Sequence, residues 1–265
     1  MKKLIIVAAL TTVLFGCKSS PTGRTQIAMY SDAQMSQLGS QSFAQLKQSM
    51  TINKEVATNR YVNCVAQKVI ATLPANYAQQ NWEVVVFEEQ SANAFALPGG
   101  KIGVHTGLLK VATNQHQLAA VLGHEVGHVI GQHSNERLTA AGFKNVGMQV
   151  ADVLSRSAEN TYHAETMGLL GLATEYGGML PFSRLHESEA DKIGLDLMAQ
   201  AGFNPEESVR LWENMSKAGG ATPPEFLSTH PSPSTRIKDL TSQMANAKQI
   251  QQTALQSIKA PSCKL

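Results

Sequence analysis

Residues 115–130 read Gln-His-Gln-Leu-Ala-Ala-Val-Leu-Gly-His-Glu-Val-Gly-His-Val-Ile, and this stretch decides the fold. Leu118, Val121, Leu122, Val129 and Ile130 recur at helical spacing and give the segment a buried face. Asn114 with Gln117 is a capping-box pattern that opens the helix. Four residues make about one helical turn, so His124 and His128 project from one face and can grip a single metal ion. Glu125 lies beside them, where it can take a proton from water on that metal. Helical His-Glu-x-x-His points to zinc-dependent hydrolysis, above all of peptide bonds.

A hydrolytic zinc usually has three protein ligands and an open position. In a metzincin the third is a histidine six residues after His128, with a glycine midway. Gly131 fits, but Ser134 holds the ligand position and His133 is one residue out of register. His133 therefore reads as a polar residue at the helix end. Glu187, in His186-Glu187-Ser188-Glu189-Ala190-Asp191, is the better candidate. A carboxylate from a second helix completes a His₂Glu set of the thermolysin kind. Asp191 is four residues on and shares that face, so it can accept an N–H from a liganding histidine and fix its tautomer. Glu189 points elsewhere and reads as solvated, and His186 reads as a polar neighbour.

The 265 residues can bury a sizeable core, and 43% hydrophobic with 16% charged content is a globular balance. Lys2 and Lys3 precede an apolar run from Leu4 to Val13, too short to span a bilayer comfortably, and Leu14-Phe15-Gly16-Cys17 follows. This reads as a signal peptide over 1–16 whose end resembles a bacterial lipobox. Cys17 is then the lipidation site, and Ser- and Gly-containing residues 17–30 form a flexible, lipid-anchored tether. Without Lys2 and Lys3 the 22 basic residues fall to 20, against 20 acidic, and no basic stripe marks a nucleic-acid partner. Cys64 and Cys263 remain, either bridged in an oxidising compartment or as two buried thiols.

The catalytic body is expected over 31–265. Ser31 with Gln34 opens a polar helix to about Met50, and Tyr61 to Leu73 has a second helical period. Trp82 to Phe87 and Lys101 to Thr106 read as strands separated by a Pro98-Gly99-Gly100 turn. Residues 138–182, interrupted by glycines, read as helices joined by a mobile, lid-like connection. Glu187 to Ala201 is a helix stopped by Gly202, and Asn204-Pro205-Glu206-Glu207 opens another. Residues 218–235 read as loop, and Ile237 to about Ile258 as a closing helix.

Asn93-Ala94-Phe95-Ala96, Pro98-Gly99-Gly100, Thr106-Gly107-Leu108-Leu109, His124 to His128, Glu187 to Asp191, and His230-Pro231 with Arg236 occur in that order. Together they resemble the zinc endopeptidase family of HtpX and the CAAX prenyl endopeptidases, over roughly residues 30–240. The resemblance implies an α+β, mostly helical, compact gluzincin domain with a small β-sheet whose edge strand receives substrate. It implies that Asn93, Ala94 and Phe95 with the following strand hold the substrate backbone by β-augmentation. It also implies that His230 and Arg236 stand near the metal, orienting substrate or stabilising the oxyanion. HtpX and the prenyl endopeptidases are integral membrane proteins, whereas no spanning helix is read here after the signal, so the likeness is to a soluble periplasmic branch.

The expected activity is a zinc endopeptidase of the bacterial cell envelope, with one Zn²⁺ per chain held by His124, His128 and Glu187, and Glu125 as base. The expected substrates are unfolded or misfolded envelope and outer-membrane proteins, with possible contact to the outer-membrane assembly machinery. Lys18 is not the aspartate that by family rule retains lipoproteins on the inner membrane, so the expected place is the periplasmic face of the outer membrane. A second reading is a chaperone or assembly factor with a latent, lid-covered zinc site, against which the intact Glu125 argues. A third, a zinc hydrolase of peptidoglycan, fits poorly with an edge-strand cleft.

Overall fold

In the computed structural model, residues 17–143, 183–218, 226, 230 and 233–265 are described, and they fall into two contact units. Residues 17–30 go with 132–143, and residues 31–131 go with those from 183 onward.

In the smaller unit, β1 (Cys17–Ser19) pairs antiparallel with β2 (Thr25–Ile27), with Cys17 opposite Ile27. Gly23 turns the chain at φ 87°, in the left-handed region that favours glycine. The Arg24 guanidinium meets the Glu136 carboxylate through two parallel bonds of 2.9 and 2.6 Å. Asn135 holds the Tyr30 backbone on both sides, accepting from its N–H and donating to its carbonyl. The stretch expected as a flexible tether is therefore an ordered hairpin. Its ordering partners lie more than a hundred residues along the chain, where composition gives no sign of them. The lid-like connection expected over 138–182 is helical through residue 143 and beyond that lies outside the described residues, as does the signal peptide.

The larger unit begins with α1 (Asp32–Ser49), whose cap is the reciprocal Ser31–Gln34 box read from sequence. The second helix, α2 (Val56–Ile70), starts five residues before the apolar period at Tyr61, and one turn, α3 (Ala75–Ala78), follows. The sheet has the order β3 (Glu83–Phe87), β5 (Lys101–His105), β4 (Ala94–Leu97). β5 runs parallel to β3 and antiparallel to β4, so β4 is an edge. Ala94 and Ala96 are buried on one face, and Phe95 packs on the other, over Gly103 and against Phe43 and Phe87. A Cβ at Gly103 would stand 2.2 Å from that ring, so the glycine is what admits it.

The motif helix, α4 (Gln115–Ile130), is buried from Gln117 to Ile130. Asn114 caps it by accepting from the His116 and Gln117 N–H groups, while the Gln117 carboxamide reaches back to Thr113 rather than closing a box on Asn114. It packs on α5 (Arg184–Gln200), which Ser183 caps and which starts three residues ahead of the expected Glu187. A Cβ on Gly194 would stand 2.6 Å from the His124 backbone nitrogen, one on Gly123 2.7 Å from the Gly194 carbonyl oxygen, and one on Gly127 2.8 Å from that of Ala190. The two helices thus touch backbone to backbone at the level of the motif. Gly194→Val should prise them apart, costing about 1–3 kcal/mol of stability and loosening metal binding. Thermal denaturation and a metal titration of the variant would read both effects.

Gly202, at φ 82°, ends α5, and α6 (Glu206–Ala218) follows with Asn204 accepting from the Glu206 N–H. The last helix, α7 (Pro233–Ala254), begins four residues before the expected Ile237 and so carries Arg236 in its first turn. Proline suits a helix's first turn, which loop composition alone conceals. The result is an α+β, mostly helical zincin-like domain, and among the described residues no helix is long and apolar enough to cross a membrane.

Cys64 of α2 and Cys263 of the C-terminal tail form a disulfide, 199 residues apart in sequence. Beside it the Gln115 carboxamide donates to the Pro261 carbonyl and accepts from the Cys263 N–H, tying the tail to the start of α4. Closing so long a loop adds about 4–5 kcal/mol in the chain-entropy account. Cys263→Ser, or wild type in reductant, should therefore melt well below the oxidised protein in a thermal scan.

Candidate metal centre

α4 presents His124 and His128 one turn apart, with their Nε2 atoms 3.1 Å from each other. The glycine contact brings α5 close enough for Glu187 to meet them. Its Oε2 lies 3.5 Å from His124 Nε2 and its Oε1 3.5 Å from His128 Nε2. His230 closes the group, with Nδ1 3.2 Å from His124 Nε2 and 3.0 Å from Glu187 Oε1. Zinc bonds of 2.0–2.1 Å arranged tetrahedrally place ligand atoms about 3.3 Å apart, and these separations fall around that figure. All four side chains are buried, and their donor atoms lie within 4.8 Å of one another. Nitrogen and carboxylate donors in this geometry suit Zn²⁺. His133 and His186 are not among these donors.

Around the donors a second set of side chains holds them in place. Asp191, one turn after Glu187, has Oδ1 3.0 Å from His124 Nδ1. Arg236 Nη2 lies 2.8 Å from the same Nδ1, so the ring is held from two sides, by a carboxylate and a guanidinium. Arg236 is 2% exposed and directs its guanidinium at both carboxylates, with Nε 2.6 Å from Asp191 Oδ2 and Nη1 2.8 Å from Glu187 Oε2. The guanidinium thus stands beside the donors, against the two carboxylates and the His124 ring. Glu189, read from sequence as solvated, is buried, because α5 is enclosed on nearly every side along this turn.

Glu125 faces the same space. Its carboxylate accepts a backbone hydrogen bond from Ala96 of β4, its Oε1 lies 3.4 Å from His230 Nε2, and that oxygen has no hydrogen-bond partner among the described residues. Burial pushes its pKa up to about 7, against the opposing pull of His230. A carboxyl poised there can both take and return a proton near neutral pH.

Asn93, Ala94 and Phe95 lead into and form this edge strand. The Asn93 carbonyl accepts from the His105 N–H, Ala94 is buried, and the Phe95 ring lies in the aromatic cluster on the far face. Two neighbours of the centre escaped the sequence reading. Trp212 lies under the Arg236 guanidinium at 3.7 Å, and Phe226 stacks on His230 at 4.4 Å. Trp212 gives only an apolar position on an amphipathic helix, and Phe226 falls in the stretch 218–235 that the sequence reading took as loop.

The profile of Peptidase family M48 matches residues 56–244. The chain is 37% identical over 186 residues to mitochondrial metalloendopeptidase OMA1 of Schizosaccharomyces pombe, covering 69% of this chain and 52% of that protein. Against OMA1 of Arabidopsis thaliana it is 40% identical over 158 residues, 60% of this chain and 30% of the relative. Against the beta-barrel assembly-enhancing protease of Escherichia coli it is 27% identical over 209 residues, 77% of this chain and 42% of the relative. The chain thus spans about half or less of the length of these relatives. The match runs from α2 into α7 and takes in every donor of the centre, so the chain belongs to peptidase family M48, whose members are zinc metallopeptidases.

Proposed function

We propose that this chain is a zinc endopeptidase of the bacterial cell envelope that cleaves unfolded or misfolded envelope and outer-membrane proteins. The observation that carries the reading is the edge strand β4 packed on α4, with its Ala96 N–H on the Glu125 carboxylate. An extended peptide added to that edge passes beside Glu125 and the donor cluster, and only an unfolded stretch can lie down in this way. Zinc held by His124, His128 and Glu187, with His230 turned away to leave a position for water, would supply Lewis acidity to polarise a carbonyl and acidify that water. Glu125 accepts the water proton and hands it to the leaving amine. The His230 imidazole, 3.4 Å from Glu125, can offer an N–H to the developing oxyanion once it turns from the donors. Arg236 and Asp191 keep Glu187 and His124 in place.

The envelope part of the proposal rests on residues 1–17 and on the beta-barrel assembly-enhancing relatives, while the OMA1 relatives are mitochondrial. We place the chain in the periplasm, held to the outer membrane by lipid on Cys17, with contact to the outer-membrane assembly machinery. Incubating the purified protein with an unfolded outer-membrane barrel protein and mapping the products by mass spectrometry tests the activity. Internal cuts are expected, and binding without cuts would favour an assembly factor. Cys17→Ser should move the protein into the soluble periplasmic fraction, since anchoring requires the acyl chains. A processed Cys17→Ser protein still in the outer-membrane fraction would overturn the anchor.

A further inference from the structure

His230 turns its ring nitrogens toward Glu187, His124 and Glu125. Nδ1 faces Glu187 and His124, and Nε2 faces Glu125. Both nitrogens act in the plane of the ring, so the tilt of that plane decides whether they reach their partners together. Phe226 supplies a flat surface for it. The phenyl and imidazole rings stack at 4.4 Å and 29°, whereas the His124 ring meets Phe226 edge-on at 5.9 Å. Behind Phe226 lies the Trp212 ring at 5.6 Å, itself 3.7 Å from the Arg236 guanidinium carbon. The Phe226 backbone is fixed at both ends, its N–H donating to the Ala92 carbonyl ahead of β4 and its carbonyl accepting from the His230 N–H.

We propose that Phe226, braced by Trp212, is a positioning residue that sets the plane of the His230 imidazole, so that Nδ1 meets the metal donors while Nε2 meets Glu125. Trp212 covers one face of Arg236, whose N–H groups are all directed in-plane, and so joins the guanidinium that holds Glu187 to the ring that holds His230. A side chain of similar volume without a flat face fills the same space but leaves the imidazole free to tilt. The inference rests on the zinc reading of the site and is independent of what is cleaved.

The test is a double-mutant cycle read on metal alone. Zinc affinity by chelator competition, and the visible spectrum of the Co²⁺-loaded protein, are measured for wild type, Phe226→Leu, His230→Ala and the double variant. Phe226→Met serves in place of Leu if that variant does not fold. Phe226→Leu should weaken zinc by about tenfold or more, as loss of a group that orients a ligand does, and should shift the Co²⁺ bands. In the His230→Ala background the same change should leave affinity and spectrum nearly unaltered. An unchanged zinc affinity and spectrum in Phe226→Leu, or an equal loss in both backgrounds, would overturn the proposal. A protein that loads zinc normally but cuts no unfolded chain would instead sink the peptidase reading and leave this result standing.

Discussion

Glu125→Gln should retain zinc and lose proteolysis by about a hundredfold or more. The substitution keeps the shape and the Ala96 hydrogen bond but removes the proton acceptor, and general-base catalysis is worth about 10²–10⁴ in rate. The variant should also fold normally, because an amide is no more costly than a carboxylate at a site where burial already pushes the pKa to about 7. The measurement is cleavage of an unfolded chain such as casein alongside metal content. Equal cleavage by wild type and variant at equal zinc loading would remove Glu125 from the mechanism.

Glu187→Ala should lose zinc. If about 10–16 kcal/mol of apparent binding is shared among four ligands, each supplies about 3 kcal/mol, so affinity should fall about a hundredfold or more. Glu187 Oε2 also lies 2.8 Å from Arg236 Nη1 as an ion pair, and truncation leaves that buried guanidinium with Asp191 as its one carboxylate partner among the described residues. Breaking a buried pair from one side costs about 3–5 kcal/mol, so the alanine variant should be less stable even without metal. Glu187→Gln separates the two effects, since it keeps the volume and an acceptor oxygen for Arg236 while weakening the metal bond. Metal titration and thermal denaturation of both variants check this. Full zinc retention by Glu187→Ala would show that the other donors suffice.

How much of this was legible in the sequence follows from the distance over which each feature is encoded. His124, Glu125 and His128 are a local pattern on one apolar helix, and Glu187 with Asp191 repeats the same logic on a second. His230 and Arg236 were reached only through resemblance, because the first stands outside any periodic segment and the second sits in the opening turn of a helix expected to start later. The strand β4 has alanines where β-branched residues would announce it, and depends on Gly103 beneath Phe95. The hairpin at 17–27 depends on Arg24 finding Glu136, and the Phe226 ring, which stacks on His230, on finding Trp212 of α6. Long-range pairing of that sort leaves no periodic trace.

The Cys64–Cys263 bond has one further consequence. A protease meets itself as a substrate, and a cut anywhere between those cysteines would yield two pieces that remain covalently one molecule. A break between Gly142 and Gly178 would put His124, Glu125 and His128 on one piece and Glu187, His230 and Arg236 on the other, with the bridge still joining them. Self-clipped protein would then migrate as a single band on a gel run without reductant and as two bands with it, and clipping need not end the working life of the centre.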